Sequence, residues 1–319
     1  MTTERNHTID SLKLLCALLV VFIHCKYPYK REILPFTDVA VPLFFCISGY
    51  FVFGATRSWN RIYRIVQIFV WSALLYLAKT ELFHLLTTHK LWFPSWHAVA
   101  NLIFFNDVAF SIHLWYLPAY IYVLVVAFFI DKYNLWKVAF YTIIPLLLVG
   151  VLIKYSIADT CPEEIQYYRN AYFCGLPYFL VGGLIKITPP PRSHLSLRWQ
   201  RVVLTIVIVA LFVLRYLITG HSLIVMATRE IDLLLLTAAI FLLSTLCVQH
   251  EDNLYSQLGR RYSLYIYIFH VLIMSICEMV APYFPSTLCE IYMYINPICV
   301  FLLSISLTYV LGKFKIIKL

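Results

Sequence analysis

The feature that most constrains this chain is a series of apolar runs, each long enough to cross a lipid bilayer as one helix. A helix needs about 20 mainly apolar residues to span about 30 Å of hydrocarbon. Hydrophobic residues make up 62% of the 319 residues and charged residues 13%, against about 45–50% and about 25% in an ordinary soluble domain. A soluble fold could not bury that much apolar surface. The sequence therefore predicts an all-α, polytopic membrane protein.

The apolar runs predict about ten spans. They lie near 8–27, 39–55, 62–84, 114–131, 136–154, 171–187, 200–218, 230–248, 262–282 and 290–311. Between the third and fourth spans, 85–113 is predicted to be a loop that contains an interfacial helix near 96–106. No polar stretch is long enough for a separate soluble domain, so we predict a single integral membrane domain over 1–319.

Lysine and arginine are concentrated in every second loop between the predicted spans. Cytoplasmic loops of membrane proteins carry this excess, so we predict that the N-terminus and the C-terminus are both cytoplasmic. The net charge of +9 is then explained by topology signals, and no nucleic-acid partner is predicted. The nine cysteines lie mostly in apolar runs without CxxC spacing, which predicts neither a disulfide framework nor a metal site.

The first predicted span contains ionisable residues, which are costly in lipid and usually face a cavity or a partner. Lys13 and His24 are separated by about three helical turns plus about 20°, so they share one helix face, about 16 Å apart along its axis. Asp10, one turn before Lys13, can pair with it. Lys13 alone is equally explained by snorkelling to the cytoplasmic boundary, and His24 alone by packing. A histidine that faces a cavity can instead act as a general base near neutral pH.

Two further groups of residues are candidates for binding. Arg61 and Arg64 lie one helical turn apart where the third span begins, which suits an anion such as phosphate. His113, Trp115 and Tyr116 open the fourth span at the predicted level of the first-span histidine. Cytoplasmic arginines also act as topology determinants, and Trp and Tyr act as headgroup anchors. Each group therefore also has a purely structural explanation.

Together these positions resemble the acyltransferase-3 family of membrane O-acyltransferases. The spacing of Lys13 and His24 is similar to the basic residue, ten residues, then histidine of the family's first span. The run 44–50 (FFCISGY) resembles its second-span motif. The later matches are the arginine pair Arg61 and Arg64, the HLWYL run at 113–117, Gly182-Gly183, and the YSLYIYIFH run at 262–270.

The resemblance covers essentially the whole chain, and its strength lies in the ordered set of motifs rather than in any one of them. The family pattern usually has arginine at the position of Lys13. Lysine keeps the charge but lacks the planar guanidinium group. The chain resembles those members that consist of the membrane part alone.

The resemblance implies that acetyl-CoA, or another acyl-CoA, is the donor on the cytoplasmic side, with no cofactor bound permanently and no metal. His24 would be the general base or a transient acyl carrier, and Lys13 and Asp10 would complete the catalytic group. Arg61 and Arg64 would bind the CoA phosphates.

The resemblance also implies that the acceptor is a hydroxyl group of a cell-surface glycan or a lipid-linked sugar. His113, Trp115, Tyr116 and Arg169 would bind this acceptor at the outer side, and Ser48 is a candidate oxyanion donor. The expected location is a cell membrane, in bacteria the inner membrane. Membrane lipids and a second copy of the chain are further partner candidates.

Two other functions fit the same polar residues. Polar side chains within spans also mark the substrate path of a transporter or flippase, which would move a glycolipid or a small polar substrate. Gly/Pro-interrupted spans in matching halves, typical of many transporters, are not evident. A membrane module that senses a ligand without chemistry is the third hypothesis.

Overall fold

The computed structural model describes residues 5–54, 58–161, 163–188, 196–315 and 317 of the chain. Within these residues the protein is all-helical and no strand occurs. The α-helices are α1 His7–His24, α2 Lys30–Thr37, α3 Ala40–Val52, α4 Ser58–Thr88, α5 Trp96–Phe105, α6 Tyr116–Lys132, α7 Trp136–Tyr141, α8 Ile143–Ile157, α9 Leu176–Ile187, α10 Leu197–Leu217, α11 Leu223–Leu246, α12 Leu254–Val280 and α13 Ser286–Lys313.

Seven helical segments of the described chain are long and apolar enough to cross a membrane, judged by length and composition. They are His7–His24, Lys30–Val52, Trp59–Thr88, Ile112–Lys132, Leu197–Leu217, Leu254–Tyr283 and Ser286–Lys313. This confirms a polytopic helical membrane protein. The count of ten spans and the cytoplasmic location of both termini stay predictions.

The three other predicted spans differ from these seven for local reasons. The run predicted near 136–154 is divided between α7 and α8, which leaves the shorter helix Ile143–Ile157, and the run near 171–187 is also short. The run near 230–248 overlaps α11, which ends at Leu246 and whose N-terminal half carries Arg229, Glu230 and Asp232. The helix predicted near 96–106 is present as α5.

The chain divides into two compact units. One contains the described residues up to Phe44, then α10, and then the chain from Leu235 onwards, and the other contains Phe45 to α9 together with 219–234. The prediction of a single membrane domain stays a prediction.

In the first unit, α1 and α12 pack side by side and run in the same direction. A Cβ atom on Gly259 of α12 would collide with the backbone carbonyl group of Asp10 in α1, so the two backbones touch. Side chains from α1, α12 and α13 form a buried cluster along this contact: Leu14, Ala17, Val21, Cys25, Tyr262, Ile266, Val300 and Phe301. Lipid tails are as apolar as these side chains, so close packing rather than removal from water stabilises the contact.

Polar residues define where α1 and α12 begin. The Asn6 side chain accepts a hydrogen bond from the Thr8 amide at 3.0 Å and donates one to the Ser244 carbonyl oxygen at 3.1 Å. At the start of α12, Asn253 and Ser256 form a reciprocal capping box. Such caps satisfy amide groups that have no partner within the helix. They place both helix N-termini at the same end of the first unit.

In the second unit, α3 and α9 make an equally close contact through glycine. A Cβ atom on Gly182 would collide with the Cys46 carbonyl group, and one on Gly49 would collide with the Phe179 carbonyl group. Small residues allow such backbone contacts between membrane helices. Gly49 and Gly182 therefore allow α3 and α9 to pack with their backbones in contact.

We expect the substitution Gly182→Ala to destabilise the protein by about 1–3 kcal/mol, because the added methyl group must push α3 and α9 apart. The adjacent substitution Gly183→Ala is a matched control, since its Cβ would meet side-chain atoms only at 3.5–3.7 Å. The measurement is the thermal unfolding midpoint of the detergent-solubilised protein. Equal shifts for the two variants would contradict the backbone contact.

Candidate functional site

The candidate residues from the sequence divide between the two units. Asp10, Lys13 and His24 lie on α1 in the first unit. The second unit carries the rest, namely Ser48, Arg61, Arg64, His113, Trp115, Tyr116 and Arg169.

Asp10 is the centre of an ion cluster at the N-terminal end of α1. Its side chain is 4% exposed and accepts hydrogen bonds from Lys13 Nζ at 2.8 Å and Arg5 Nε at 2.7 Å. Arg260 Nη1 of α12 lies 3.9 Å from Asp10 Oδ2. The pairing of Asp10 with Lys13, expected from their spacing, is thus present. Because the carboxylate also faces two arginines, it anchors the side chain of Lys13 within a larger network.

Arg260 also connects this cluster to Asp252, in the loop before α12. The two residues form an ion pair at 2.8 Å, and His7 Nδ1 lies 3.3 Å from the same carboxylate. The hydrogen bond from Arg260, followed by that from Ser256, lowers the pKa of Asp252 to about 2. Asp252 is therefore ionised at neutral pH, and its stabilising effect is lost only as the pH falls from its ordinary value of 3.8 towards 2.

His24 lies at the opposite end of α1, and its ring contacts the ring of His270 on α12. The ring centroids are 5.0 Å apart with an angle of 46° between the ring planes. Because α1 is helical from His7 to His24, Lys13 and His24 share one face, as predicted. Nearby, Asn296 of α13 donates a hydrogen bond to the Lys26 carbonyl oxygen at 3.1 Å, which holds the chain directly after α1.

In the second unit, His113 is buried just before α6. Its side chain is 3% exposed, with Nδ1 2.9 Å from Ser111 Oγ and the ring packed edge-on against Tyr76, 4.6 Å between centroids. The imidazole group is thus oriented by both a hydroxyl group and an aromatic ring. A well-oriented histidine of this kind can bind a hydroxyl group of a ligand.

Trp115 and Tyr116 are also buried, which is not the environment of headgroup anchors. The ring of Phe45 lies 6.4 Å from Trp115 and 4.8 Å from Tyr116 between centroids. Arg169 places its guanidinium group 5.2 Å from the Trp115 ring centroid, a cation–π contact. Three of the residues predicted to bind the acceptor substrate, Trp115, Tyr116 and Arg169, therefore lie in one cluster of contacting side chains.

Arg61 and Arg64 lie one turn apart near the start of α4, where Arg64 is exposed and Arg61 is partly buried. Arg61 is close enough to Tyr120 of α6 to act on it electrostatically, and the hydroxyl groups of Tyr120 and Ser48 hydrogen-bond. Tyr120 stacks on Tyr116 with 5.8 Å between ring centroids. Sequence reasoning missed Tyr120, although its position four residues after Tyr116 places both on one helix face.

A polar pocket of about 260 Å³ opens beside α5 in the second unit. The residues that line it include His97, Asn101, Asp107, Glu163 and Glu164. Burial raises the pKa of Asp107 above its ordinary value, although the charge of Arg169 opposes this shift. Arg169 therefore contacts the Trp115 ring and also acts electrostatically on the Asp107 carboxyl group.

A sequence model of a family described as an acyltransferase domain (acyltransferase-3) matches residues 6–312 of the chain. No solved structure matches the chain.

Proteins named as racemases are also similar to the chain. Two amino-acid racemases of Enterococcus faecalis are 26% identical over 215 residues and 25% identical over 317 residues, covering 59% and 88% of this chain and 29% and 43% of those proteins. A serine/alanine racemase of Enterococcus gallinarum is 31% identical over 130 residues, which cover 37% of this chain and 18% of that protein. The chain thus spans less than half the length of these relatives.

Proposed function

Because the chain belongs to the acyltransferase-3 family, whose members move acyl groups other than amino-acyl groups, we propose that it is a membrane O-acyltransferase. The proposed donor is cytoplasmic acyl-CoA, with acetyl-CoA as the first choice. The proposed acceptor is a hydroxyl group of a cell-surface or lipid-linked glycan. No permanently bound cofactor or metal takes part.

The observation that carries this proposal is the arrangement of ionisable groups on α1. His24 lies at one end of the helix, against a second histidine, and the Asp10–Lys13 ion pair lies at the other end on the same face. A histidine held within a membrane helix is costly unless it has a function or a partner. An imidazole group near neutral pH is suited to remove the proton of an attacking hydroxyl group.

In the proposed reaction, the acceptor hydroxyl oxygen attacks the thioester carbonyl carbon of the acyl-CoA. His24 takes the hydroxyl proton as the new O–C bond forms. The C–S bond then breaks, and the CoA thiolate takes the proton from His24. The products are the O-acyl ester and free CoA, and the histidine returns to its starting state.

We assign donor binding to Arg61 and Arg64, whose guanidinium groups suit the phosphates of CoA. The neighbouring Tyr120 and Ser48 would line the path of the pantetheine arm, because aromatic and hydroxyl groups can pack against and hydrogen-bond to its amide groups. Lys13, anchored by Asp10, would orient the donor or stabilise its negative charge.

We expect Arg61→Gln to raise the KM for acyl-CoA about tenfold or more, since each charge-assisted hydrogen bond contributes about 1.5–3 kcal/mol. The exposed Arg64 should give a smaller increase, and the kcat of both variants should change little. The measurement is the rate of acyl transfer against donor concentration in isolated membranes. If both arginines are replaced by glutamine and the transfer rate still depends on acyl-CoA concentration as in the wild type, the arginines act only as topology signals.

Acceptor binding is assigned to His113, Trp115, Tyr116 and Arg169. Aromatic rings pack against the apolar face of a sugar, and the histidine can hydrogen-bond to a sugar hydroxyl group. The carboxylate of an acidic sugar would pair with Arg169, whose charge also acts on Asp107. The site would face the outer side of a cell membrane, in bacteria the inner membrane, with membrane lipids and a second copy of the chain as further partners.

Transfer of radiolabelled acetyl groups from acetyl-CoA in isolated membranes tests the proposal. Membranes that contain the chain should incorporate label into their glycan or glycolipid fraction, and membranes without it should not. The label should be released by mild alkali, as expected for an ester. Absence of alkali-labile label with acetyl-CoA and with longer acyl-CoAs would overturn the proposal.

The polar residues within the spans fit one second candidate, a transporter or flippase for a glycolipid or a small polar substrate, and the relatives' names suggest amino acids as substrates to try. Such a protein would carry labelled serine or alanine into sealed vesicles without forming an acyl ester. Uptake of these amino acids, together with no consumption of acyl-CoA, would favour transport over acyl transfer.

A further inference from the structure

His270 on α12 is fully buried, with no exposed side-chain surface, and the proposed chemistry does not yet use it. Its Nδ1 atom lies 2.7 Å from the Tyr267 carbonyl oxygen and 3.2 Å from the Ile266 carbonyl oxygen. A carbonyl oxygen only accepts hydrogen bonds, so Nδ1 must carry the proton. In the neutral ring, Nε2 then has a lone pair and can only accept.

The packing of α1 against α12 places the ring of His270, with its hydrogen-bond acceptor Nε2, beside His24. The helices touch at Gly259 and Asp10, and the buried cluster between them extends as far as Cys25, directly after His24. The two rings lie 5.0 Å apart between centroids, tilted by 46°, so they are not stacked face to face. The described structure shows no hydrogen bond from His24 to His270 Nε2, but at this separation a rotation of the His24 ring would bring one of its nitrogens within hydrogen-bonding distance of that atom.

We propose that His270 is a positioning residue for His24: after a rotation of the His24 ring, the Nε2 atom of His270 accepts a hydrogen bond from one ring nitrogen of His24. The other nitrogen of His24 is then unprotonated and serves as the base for the acceptor hydroxyl group. When His24 takes the proton, the hydrogen bond to His270 becomes charge-assisted and stronger. The backbone carbonyl groups of α12 hold the proton of His270 on Nδ1, so Nε2 is always the acceptor. His270 thus fixes the tautomer of His24 and stabilises its imidazolium form. The catalytic consequence rests on the proposed function, whereas the hydrogen bond itself does not.

Nitrogen NMR of histidine-labelled wild-type protein in detergent tests the hydrogen bond without reference to activity. We expect His270 to show the signature of a neutral ring protonated at Nδ1, with the Nε2 shift displaced by hydrogen bonding. Assignment follows from loss of the signal in His270→Gln. In His24→Ala, the His270 Nε2 shift should move towards that of a ring without this bond. Protonation of His270 at Nε2, or an unmoved shift in His24→Ala, would overturn the proposal even if the protein transfers acyl groups.

Two substitutions of His270 test the catalytic consequence. His270→Phe keeps a ring but removes the acceptor, and we expect kcat to fall at least tenfold with the KM for acyl-CoA unchanged. In His270→Gln the amide oxygen can still accept from His24, so a substantial part of the activity should return. His84→Phe, on a helix of the other unit, controls for the loss of a histidine from a membrane helix. Equal kcat losses in the Phe and Gln variants at normal abundance, or no loss in His270→Phe, would contradict the role of His270. A complete absence of acyl transfer in the wild type would instead refute the proposed function and leave the NMR result to decide the hydrogen bond.

Discussion

Replacement of His24 by alanine should abolish acyl transfer while the protein accumulates in the membrane at its normal level. A general base contributes typically about 10²–10⁴-fold to the rate, so little measurable transfer should remain. His24 is only partly buried and is the last residue of α1, and truncation there leaves the buried cluster of α1, α12 and α13 intact. The measurement is incorporation of label from acyl-CoA, normalised to the amount of protein.

Two controls accompany this prediction. His84→Ala removes a histidine from a membrane helix of the second unit and should leave transfer unchanged. Added imidazole should partly restore transfer in His24→Ala, because it can replace the missing base in the space that the substitution opens. Transfer by His24→Ala within a few-fold of the wild-type rate would show that His24 is not the base.

Replacement of Asp10 by asparagine should destabilise the protein strongly. The substitution leaves Lys13, Arg5 and Arg260 facing one another without their central carboxylate. Removal of one partner of a buried ion pair costs about 3–5 kcal/mol, and we expect about 2–3 kcal/mol here, since the three cations retain some contact with solvent. The thermal unfolding midpoint of the detergent-solubilised protein measures this effect.

Asp252→Asn is the matched control, because Asp252 binds the same Arg260 from an exposed position. Exposed ion pairs contribute about 0–1 kcal/mol, so the control should be much milder. Asp10→Asn should also lower acyl transfer per folded molecule, because Lys13 loses its anchor. Equal destabilisation by the two substitutions would contradict a central role of the buried carboxylate.

The sequence predicts the helical membrane fold well, because apolar runs directly reflect the thickness of a bilayer. The span boundaries predicted from the sequence differ from the helix boundaries where the local backbone conformation interrupts a helix. The chain after α1 turns to an extended conformation at Cys25, although the apolar run extends to 27. Thr142 separates α7 from α8, which divides a run that composition alone makes continuous. Charges in the N-terminal half of α11 likewise set that helix apart from the seven candidate spans.

Contacts within the candidate site were predictable where they are local in sequence. Asp10 and Lys13 are one turn apart, and so are Arg61 and Arg64, so helical periodicity alone places each pair together. Long-range contacts are different. Neither Arg260 beside Asp10 nor His270 beside His24 can be deduced from spacing, because both depend on how α1 packs against α12. His270 is visible in the sequence only as part of a family-like run, without any sign of its neighbour.

The most direct test of the account as a whole is acyl transfer in sealed membrane vesicles of defined orientation, with labelled acyl-CoA added outside. Inside-out vesicles expose the cytoplasmic side, so they should transfer label to a glycan acceptor without permeabilisation. Sealed right-side-out vesicles should transfer none until they are permeabilised, and His24→Ala vesicles should be inactive in both orientations. Absence of transfer in permeabilised vesicles of both orientations would contradict acyl transfer, and equal transfer in both sealed preparations would contradict a cytoplasmic donor site.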